Sequence, residues 1–237
     1  MNKWPKILPP LTEEQKAIND DFVRHWMTLF PKKFGVVGKF NHHYVVDRAP
    51  KSFLRTLEIG AGLGEHLEYE DLTPEQEVNY VALELRENMA ERIRERYPSI
   101  QTYVGDCQIK LNFADDHFDR ILAIHVLEHL PNLPEAIKEM HRLCNKTSGV
   151  FSVVIPCEGG LAYSFGRRLS AQRIFESRYR QPYRWFIERE HINRPEEIIA
   201  EMDPFFEVTH RSWFPFLVPF LLCNLCIGLT LRPRHVS

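Results

Sequence analysis

Three glycines at alternate positions stand between an apolar segment and a polar one. The residues are Leu57-Glu58-Ile59-Gly60-Ala61-Gly62-Leu63-Gly64-Glu65-His66. Because glycine has no Cβ, the backbone can turn sharply here and a ligand can approach it closely. A dinucleotide-binding turn has the spacing G-x-G-x-x-G, whereas the third glycine here comes one residue earlier and the acid Glu58 precedes the turn. This variant suits a ligand with a cationic amino-acid end and no pyrophosphate.

Acidic residues follow the next two apolar segments. Glu84 ends the segment Tyr80-Val81-Ala82-Leu83-Glu84-Leu85, at the distance from the glycines where a ribose-binding acid is expected. A carboxylate there can accept hydrogen bonds from both hydroxyls of a ribose. A second acid, Asp106, follows a third short segment in Gly105-Asp106-Cys107. The glycines and Glu84 together indicate a site that can hold a ribose.

Histidines and a carboxylate cluster after a fourth apolar segment. His125, Glu128 and His129 lie at positions i, i+3 and i+4, so they share one face if this piece is helical. His191 comes later in the chain. Two or three imidazoles with one carboxylate form a set that a first-row metal could use. The sequence favours the alternative, in which these residues pack and hydrogen-bond and no divalent metal is held.

Short apolar segments alternate with polar helical patterns from Phe53 to Pro156. This alternation predicts an α/β fold with a mostly parallel sheet and helices on both faces. Helices are predicted at 64–69, 88–97 and 134–144. Residues 1–52 are predicted to form an N-terminal helical cap, and 53–237 the main domain. After Pro156 the alternation stops, and we interpret residues 158–194 as an insertion near the carboxyl ends of the strands, which we call the lid.

The glycine motif and the segments after it resemble those of the class I, Rossmann-like S-adenosylmethionine-dependent methyltransferases. The resemblance covers roughly residues 53–156. It implies a seven-stranded, mostly parallel sheet with an antiparallel C-terminal strand pair, and S-adenosylhomocysteine as the product cofactor. It also implies that Glu84 binds the ribose and that Asp106 binds the adenine amino group. The cofactor-binding residues expected on this basis are Glu58, Gly60, Ala61, Gly62, Gly64, Glu84, Leu85, Asp106, Cys107 and His125.

Methyl transfer is an in-line displacement from a reactive sulfonium, so the enzyme mainly supplies proximity and orientation. A base helps when the acceptor carries a proton, and imidazole suits this task because its ordinary pKa is about 6.5. His125 is the first candidate, since the end of the fourth strand faces the methyl group in the family. His191 and His129 are the other candidates. For each histidine, packing or hydrogen bonding is an equally good interpretation.

The lid is rich in arginine. Residues 167–194 contain eight arginines and three glutamates, a local net charge of +5, which leaves −7 for the rest of a chain whose total is −2. Arginines beside aromatic rings suit the capture of phosphate or carboxylate, and we expect an anionic acceptor. Ion pairs within a solvated helix face are the alternative. The residues expected to bind the acceptor are Arg178, Arg180, Tyr183, Arg184 and Trp185.

The segment 213–231 has nineteen residues and no charge. Its length would permit a membrane span, but Pro215, Pro219, Asn224 and Gly228 argue against one. We expect a buried hairpin with an exposed apolar bend at 213–222, which could contact a membrane, a lipid-linked acceptor or a second copy of the chain. Cys223 and Cys226 would face opposite sides of a strand, which argues against redox or zinc use.

The overall composition is that of a globular protein, with 44% hydrophobic and 26% charged residues. Five scattered cysteines indicate reduced thiols, and the first twenty residues lack the apolar run of a signal peptide. We therefore expect a cytoplasmic protein, free or at the inner face of a membrane, and the acidic balance argues against nucleic acid. The expected function is O- or N-methylation of a small or lipid-linked anionic acceptor, such as a glycan or secondary metabolite. The alternatives are a nicotinamide-dependent oxidoreductase and a non-catalytic cofactor-binding scaffold.

Overall fold

A seven-stranded sheet organises the chain in this computed structural model, which describes residues 3–33 and 35–235. Residues 1, 2, 34, 236 and 237, which the predicted boundaries 1–52 and 53–237 include, lie outside it. The strand order is β3-β2-β1-β4-β5-β7-β6. Strands β1 to β5 are parallel, and β7 runs antiparallel to both β5 and β6. The strands are β1 Thr56–Ile59, β2 Tyr80–Glu84, β3 Gln101–Val104, β4 Arg120–Ile124, β5 Val150–Pro156, β6 Phe206–Phe214 and β7 Cys226–Pro233.

Helices connect the strands and extend both ends of the domain. They are α1 Glu13–Lys33, α2 Gly35–Asp47, α3 Pro74–Val78, α4 Glu87–Arg96, α5 Leu133–Leu143, α6 Leu161–Arg167, α7 Arg173–Tyr179, α8 Arg184–Glu190 and α9 Pro195–Met202. A π-helical segment, Arg168–Gln172, joins α6 to α7. Two short 3₁₀ helices, His66–Tyr69 and Leu127–His129, follow β1 and β4.

The predicted sheet, its antiparallel terminal pair and its surrounding helices are confirmed, with small shifts at the boundaries. The helix expected at 64–69 is a 3₁₀ turn that begins at His66, because Gly64 has φ +78° and ends the glycine loop first. The terminal hairpin consists of β6 and β7, and the bend expected at 213–222 begins at Pro215 because Trp213 and Phe214 belong to β6. Asn224 is buried, and its side chain hydrogen-bonds the apolar bend instead of entering the strand.

The core lies on both faces of the sheet. All seven residues of β5 are buried, as expected for a strand covered on two sides. On one face α5 contributes Ile137, Met140 and Leu143. On the other face α2 contributes Tyr44 and Val45, which pack against β4 and β5. The second helix of the predicted cap is therefore part of the domain core.

The lid packs against helix α1. Phe22 of α1 is buried, and its ring centroid lies 5.0 Å from those of Phe175 in α7 and Phe186 in α8. Edge-to-face pairs of this kind add to the stability gained by burying the rings. Because the lid follows β5, this packing places α1 and the lid together beside the carboxyl edge of the sheet.

A group of buried charges lies on the sheet face opposite α5. Arg120 of β4 is fully buried and forms a 2.7 Å ion pair with Glu70, which also lies 2.6 Å from Nε2 of His66. The guanidinium donates a further hydrogen bond to the Val45 carbonyl. Burial raises the pKa of Glu70, but the contacts with His66 and Arg120 outweigh this effect and lower the pKa to about 2. Glu70 is therefore an anion that compensates a buried cation.

Candidate active site

The glycine loop has a backbone conformation that few other residues adopt. Gly60, Gly62 and Gly64 have φ values of +64°, +59° and +78°. A Cβ on Gly60 would lie 2.5 Å from Cγ2 of Val126, and a Cβ on Gly62 would lie 3.0 Å from Oε2 of Glu65. The loop thus depends on glycine for its turn and for space. It lies between the ends of β1 and β4, where neighbouring connections leave the sheet on opposite sides and ligands of such folds bind.

Glu84 closes one side of this loop. Its side chain is almost fully buried at the end of β2, and Oε2 accepts a 2.9 Å hydrogen bond from the Gly62 amide. Oε1 accepts a 3.1 Å hydrogen bond from the Arg86 amide. Leu85, the next residue, is 63% exposed. The carboxylate is therefore held at the loop, beside an apolar side chain that is free to cover a flat ring.

Asp106 lies at the same edge, after β3. Its Oδ1 accepts hydrogen bonds of 2.8 Å from the Gln108 amide and 2.9 Å from Gln108 Nε2. Cys107 is buried in the main core, and burial raises the pKa of its thiol to about 12. The Cys107 side chain therefore packs as a neutral apolar group. A ligand at this edge would therefore contact the backbone of Cys107 and not its side chain.

Glu58 has a different environment from the one expected for a cofactor ligand. Its side chain is buried within β1, and Oε2 accepts a 2.8 Å hydrogen bond from the Tyr80 hydroxyl. Burial raises the pKa of Glu58. The carboxyl group that the sequence places near the amino-acid end of a ligand is bonded within the sheet. Glu65 instead brings a carboxylate to the loop, where Oε2 accepts a 2.9 Å hydrogen bond from the Leu63 amide.

His125 occupies a strained position at the end of β4. Its φ is +54°, so it is not part of the 3₁₀ helix that contains Glu128 and His129. The shared helix face expected from the i, i+3, i+4 spacing is therefore wrong. The left-handed conformation brings the three side chains together instead, and Nδ1 of His125 lies 3.1 Å from Oε1 of Glu128. Such outliers are typical of functional sites.

The charge state of His125 differs from that of a free histidine. Burial lowers its pKa, but contacts with Sγ of Cys226 and with the Glu128 carboxylate outweigh burial and raise the pKa to about 10. Burial also raises the pKa of Glu128, yet the hydrogen bond from His125 and the charges of the nearby histidines lower it to about 2. His125 and Glu128 are therefore an ion pair at neutral pH, and His125 has no free lone pair to accept a proton.

His129 is suited to accept a proton. Burial lowers its pKa, so the ring is neutral at neutral pH. Its Nδ1 lies 2.5 Å from the Glu190 carbonyl oxygen and donates to it, which leaves the Nε2 lone pair free. His191 lies beside it, with a centroid separation of 5.1 Å, and its Nδ1 is 3.0 Å from Oε2 of Glu158. The sequence pattern did not indicate that Glu158 contacts His191, 33 residues later, or that Glu190 contacts His129, 61 residues earlier.

Glu128, His129 and His191 have donor atoms within 4.8 Å of one another. This spacing is compatible with a divalent ion, as the i, i+4 pattern suggested. Glu128, however, already bonds His125, His129 bonds a carbonyl, and His191 bonds a carboxylate. These bonds use one donor atom of each residue, and the absence of a metal stays a prediction of the sequence.

Some lid arginines form ion pairs, and others are exposed without one among the described residues. Arg178 pairs with Asp21 of α1 and Arg184 with Glu188, which corresponds to the solvated-helix alternative for these two. Tyr183 is buried with Phe22, and Trp185 packs against the same cluster. Arg180 is exposed and has no ion pair within residues 3–33 and 35–235. Of the expected acceptor-binding residues, Arg180 keeps a free guanidinium.

A cleft of about 1290 Å³ lies between the lid and the N-terminal residues 3–9. Lys3, Lys6, Arg167, Arg184 and Arg194 line it, together with an equal number of glutamates. Arg167 pairs with Glu158, and Lys6 donates a 2.8 Å hydrogen bond to Glu197. His191 belongs both to the cleft wall and to the histidine cluster. The cleft therefore reaches the histidine cluster at His191.

Comparison with known proteins shows which proteins the chain is similar to. Residues 57–152 match the sequence family described as "Methyltransferase domain". A search of curated proteins gave no match. Solved structures share the fold. A TehB-like SAM-dependent methyltransferase from Corynebacterium glutamicum is 15% identical, with a TM-score of 0.60 over 92% of this chain and 100% of that one.

Two further structures are similar over most of their length. A possible histamine N-methyltransferase from Thermotoga maritima is 19% identical, with a TM-score of 0.61 over 92% of this chain and 99% of that one. The N-methyltransferase NodS from Bradyrhizobium japonicum, solved with S-adenosyl-L-homocysteine, is 14% identical, with a TM-score of 0.53 over 82% and 84%. The chain therefore has the Rossmann-like fold of these methyltransferases, and residues 57–152 match a methyltransferase domain.

Proposed function

We propose that the chain methylates a small or lipid-linked anionic acceptor at a hydroxyl or amine, with His129 as the proton acceptor. The observation that carries this proposal is the neutral His129 ring, which donates Nδ1–H to the Glu190 carbonyl and leaves Nε2 free. The exposed arginine Arg180, which has no ion pair in the described part of the chain, supports an anionic acceptor.

The residues at the glycine loop fit S-adenosylmethionine, which supplies a methyl group on a sulfonium. A Cβ on Gly60 would clash with Val126, Gly62 has a positive φ, and Glu84 and Asp106 each bring a carboxylate to the edge. Glu84 would hold the ribose, Asp106 the adenine amino group and Leu85 the ring face. Glu65 would accept hydrogen bonds from the amino-acid end in place of Glu58.

The remaining residues would position the acceptor. The cleft beside the lid would admit it, and His191 lines the cleft wall. The His125–Glu128 ion pair fixes the turn that presents His129. A properly oriented acceptor needs only a group that removes its proton as the bond to the methyl carbon forms. Nε2 of His129 would take that proton.

Glu84→Ala is expected to weaken S-adenosylhomocysteine binding by about 1–3 kcal/mol, because a charge-assisted hydrogen bond is lost. Isothermal titration calorimetry measures the change. Glu87→Ala is the matched control, since Glu87 is an exposed acid that pairs with Arg94 on the surface of α4. The 2′,3′-dideoxy analogue of the ligand should lose much less affinity on substitution. Equal losses for both ligands would show that Glu84 only supports the loop, and no loss would reject its ribose role.

His129→Gln is expected to lower kcat by roughly 10²–10⁴-fold without weakening S-adenosylhomocysteine binding, because general-base catalysis contributes about that much. The assay measures S-adenosylhomocysteine formation with glycosides that carry phosphate or carboxylate, and with their neutral counterparts. The pKa of His129 is lowered, so its ring stays neutral to lower pH. The acid limb of the profile of kcat against pH should therefore lie below about pH 6.5.

His117→Gln is the control for this experiment. Burial also lowers the pKa of His117, but this residue precedes β4, at the opposite edge of the sheet. The His117→Gln variant should leave both kcat and the acid limb of its pH profile unchanged. An unchanged rate in His129→Gln would reject the base assignment, and transfer to neutral glycosides alone would reject the anionic acceptor.

A further inference from the structure

Two segments form one exposed apolar surface. The first is α6 and the residues after it, where Leu161, Phe165 and Leu169 recur every fourth position. The second is the apolar bend, and the Leu222 carbonyl accepts a 2.9 Å hydrogen bond from Ala162, which joins the two. We call this surface the apolar face. Its exposed side chains are Leu161, Phe165, Leu169, Phe216, Leu217, Val218, Phe220 and Leu222.

The bend is built so that its apolar side chains point outward. Asn224 is fully buried at its base, and Oδ1 accepts a 2.9 Å hydrogen bond from the Phe216 amide. Its Nδ2 donates hydrogen bonds of 2.9 Å to the Val218 and Phe220 carbonyls. The side chain thus satisfies backbone polar groups that would otherwise need water. Satisfied backbone groups are the condition for placing a loop in an apolar medium.

The apolar face groups eight exposed apolar side chains, whereas most proteins expose such side chains singly. Isolated exposed leucines need no explanation, but contiguous apolar patches mark sites of interaction with proteins or membranes. Leu217 is 86% exposed and Phe220 63% exposed, although both occupy a bend whose backbone is held by Asn224. The surface is therefore a stable feature of the fold, and something apolar must cover it.

The charges beside the apolar face indicate what covers it. Arg168 and Arg173 are exposed on the same helical stretch, and neither has an ion pair in residues 3–33 and 35–235. No acid occurs in residues 159–175 or 208–235. Apolar side chains flanked by unpaired arginines are typical of protein surfaces that bind anionic lipid. A second copy packed symmetrically on the same face would instead bring like charges together.

We propose that the apolar face docks the protein onto an anionic lipid bilayer. The apolar side chains enter the headgroup boundary, and Arg168 and Arg173 contact lipid phosphates. The face adjoins the site, because Glu158, three residues before α6, contacts His191. Docking therefore brings the entrance of the cleft close to lipid-linked acceptors; this consequence rests on the proposed function, whereas docking itself does not.

Sedimentation of the full chain with vesicles tests the proposal. We expect binding to phosphatidylcholine vesicles that contain phosphatidylglycerol, and much weaker binding to phosphatidylcholine alone. The double variant Leu217→Ser, Phe220→Ser should lower the affinity by roughly a hundredfold, because two exposed apolar side chains no longer enter the lipid. Ile109→Ser is the control, since Ile109 is exposed to a similar extent outside the face.

The arginines are tested separately. Arg168→Gln, Arg173→Gln should remove most of the preference for the anionic vesicles, whereas Arg184→Gln, whose guanidinium pairs with Glu188, should keep it. S-adenosylhomocysteine affinity, measured in solution, reports on the proposed function and should not change in any of these variants. No vesicle binding would overturn the proposal, as would self-association that the Leu217→Ser, Phe220→Ser variant abolishes.

Discussion

Gly62→Val is expected to lower the affinity for S-adenosylhomocysteine by roughly a hundredfold or more, equivalent to about 3 kcal/mol. Gly62 has φ +59°, and its Cβ position lies 3.0 Å from a carboxylate oxygen of Glu65. The branched side chain would occupy the ligand's space and displace the amide that Glu84 holds at 2.9 Å. Calorimetric titration measures the loss.

Gly159→Val is the matched control for backbone strain. Gly159 also has a positive φ, +90°, but its Cβ would have no atom within 4 Å. Strain of this kind costs about 1–3 kcal/mol of stability in both variants. Only Gly62→Val should lose the ligand. If Gly62→Val binds S-adenosylhomocysteine with the affinity of the unaltered chain, the loop does not hold the cofactor.

Glu70→Ala is expected to destabilise the protein by about 3–5 kcal/mol, because it leaves the buried Arg120 guanidinium without its counter-charge. Urea unfolding measures the change. Glu68→Ala is the control, since Glu68 lies in the 3₁₀ turn that Glu70 follows and pairs with an exposed arginine, Arg96. A surface pair of that kind contributes at most about 1 kcal/mol. Equal effects of the two variants would show that Arg120 needs no partner.

The free energy of unfolding measured at acidic pH provides a second test of the Glu70–Arg120 pair. The pKa of Glu70 is about 2 in the folded protein, below the ordinary value for glutamate of about 4.3. Its contribution is therefore fully present above the unfolded pKa and is lost as the pH falls through the folded pKa. Glu70→Ala should remove the part of the pH dependence that lies between about pH 4.3 and pH 2.

Local patterns were sufficient to predict the sheet and one side of the site. Apolar segments separated by helical patterns predict parallel strands, and parallel strands end at one edge. The glycine loop and the acids Glu84 and Asp106 follow those strands directly, so their positions depend on the strands alone. Because each of these residues directly follows a parallel strand, they lie together at the edge where those strands end.

Features that depend on residues distant in the chain could not be predicted this way. The sequence does not show that Glu58 bonds Tyr80 or that Asp21 pairs with Arg178, because each contact depends on how neighbouring elements pack. The same holds for His129, whose tautomer is fixed by a carbonyl 61 residues later. Burial and long-range hydrogen bonds set the charge state of each histidine, and both arise only when the lid, helix α1 and the sheet come together.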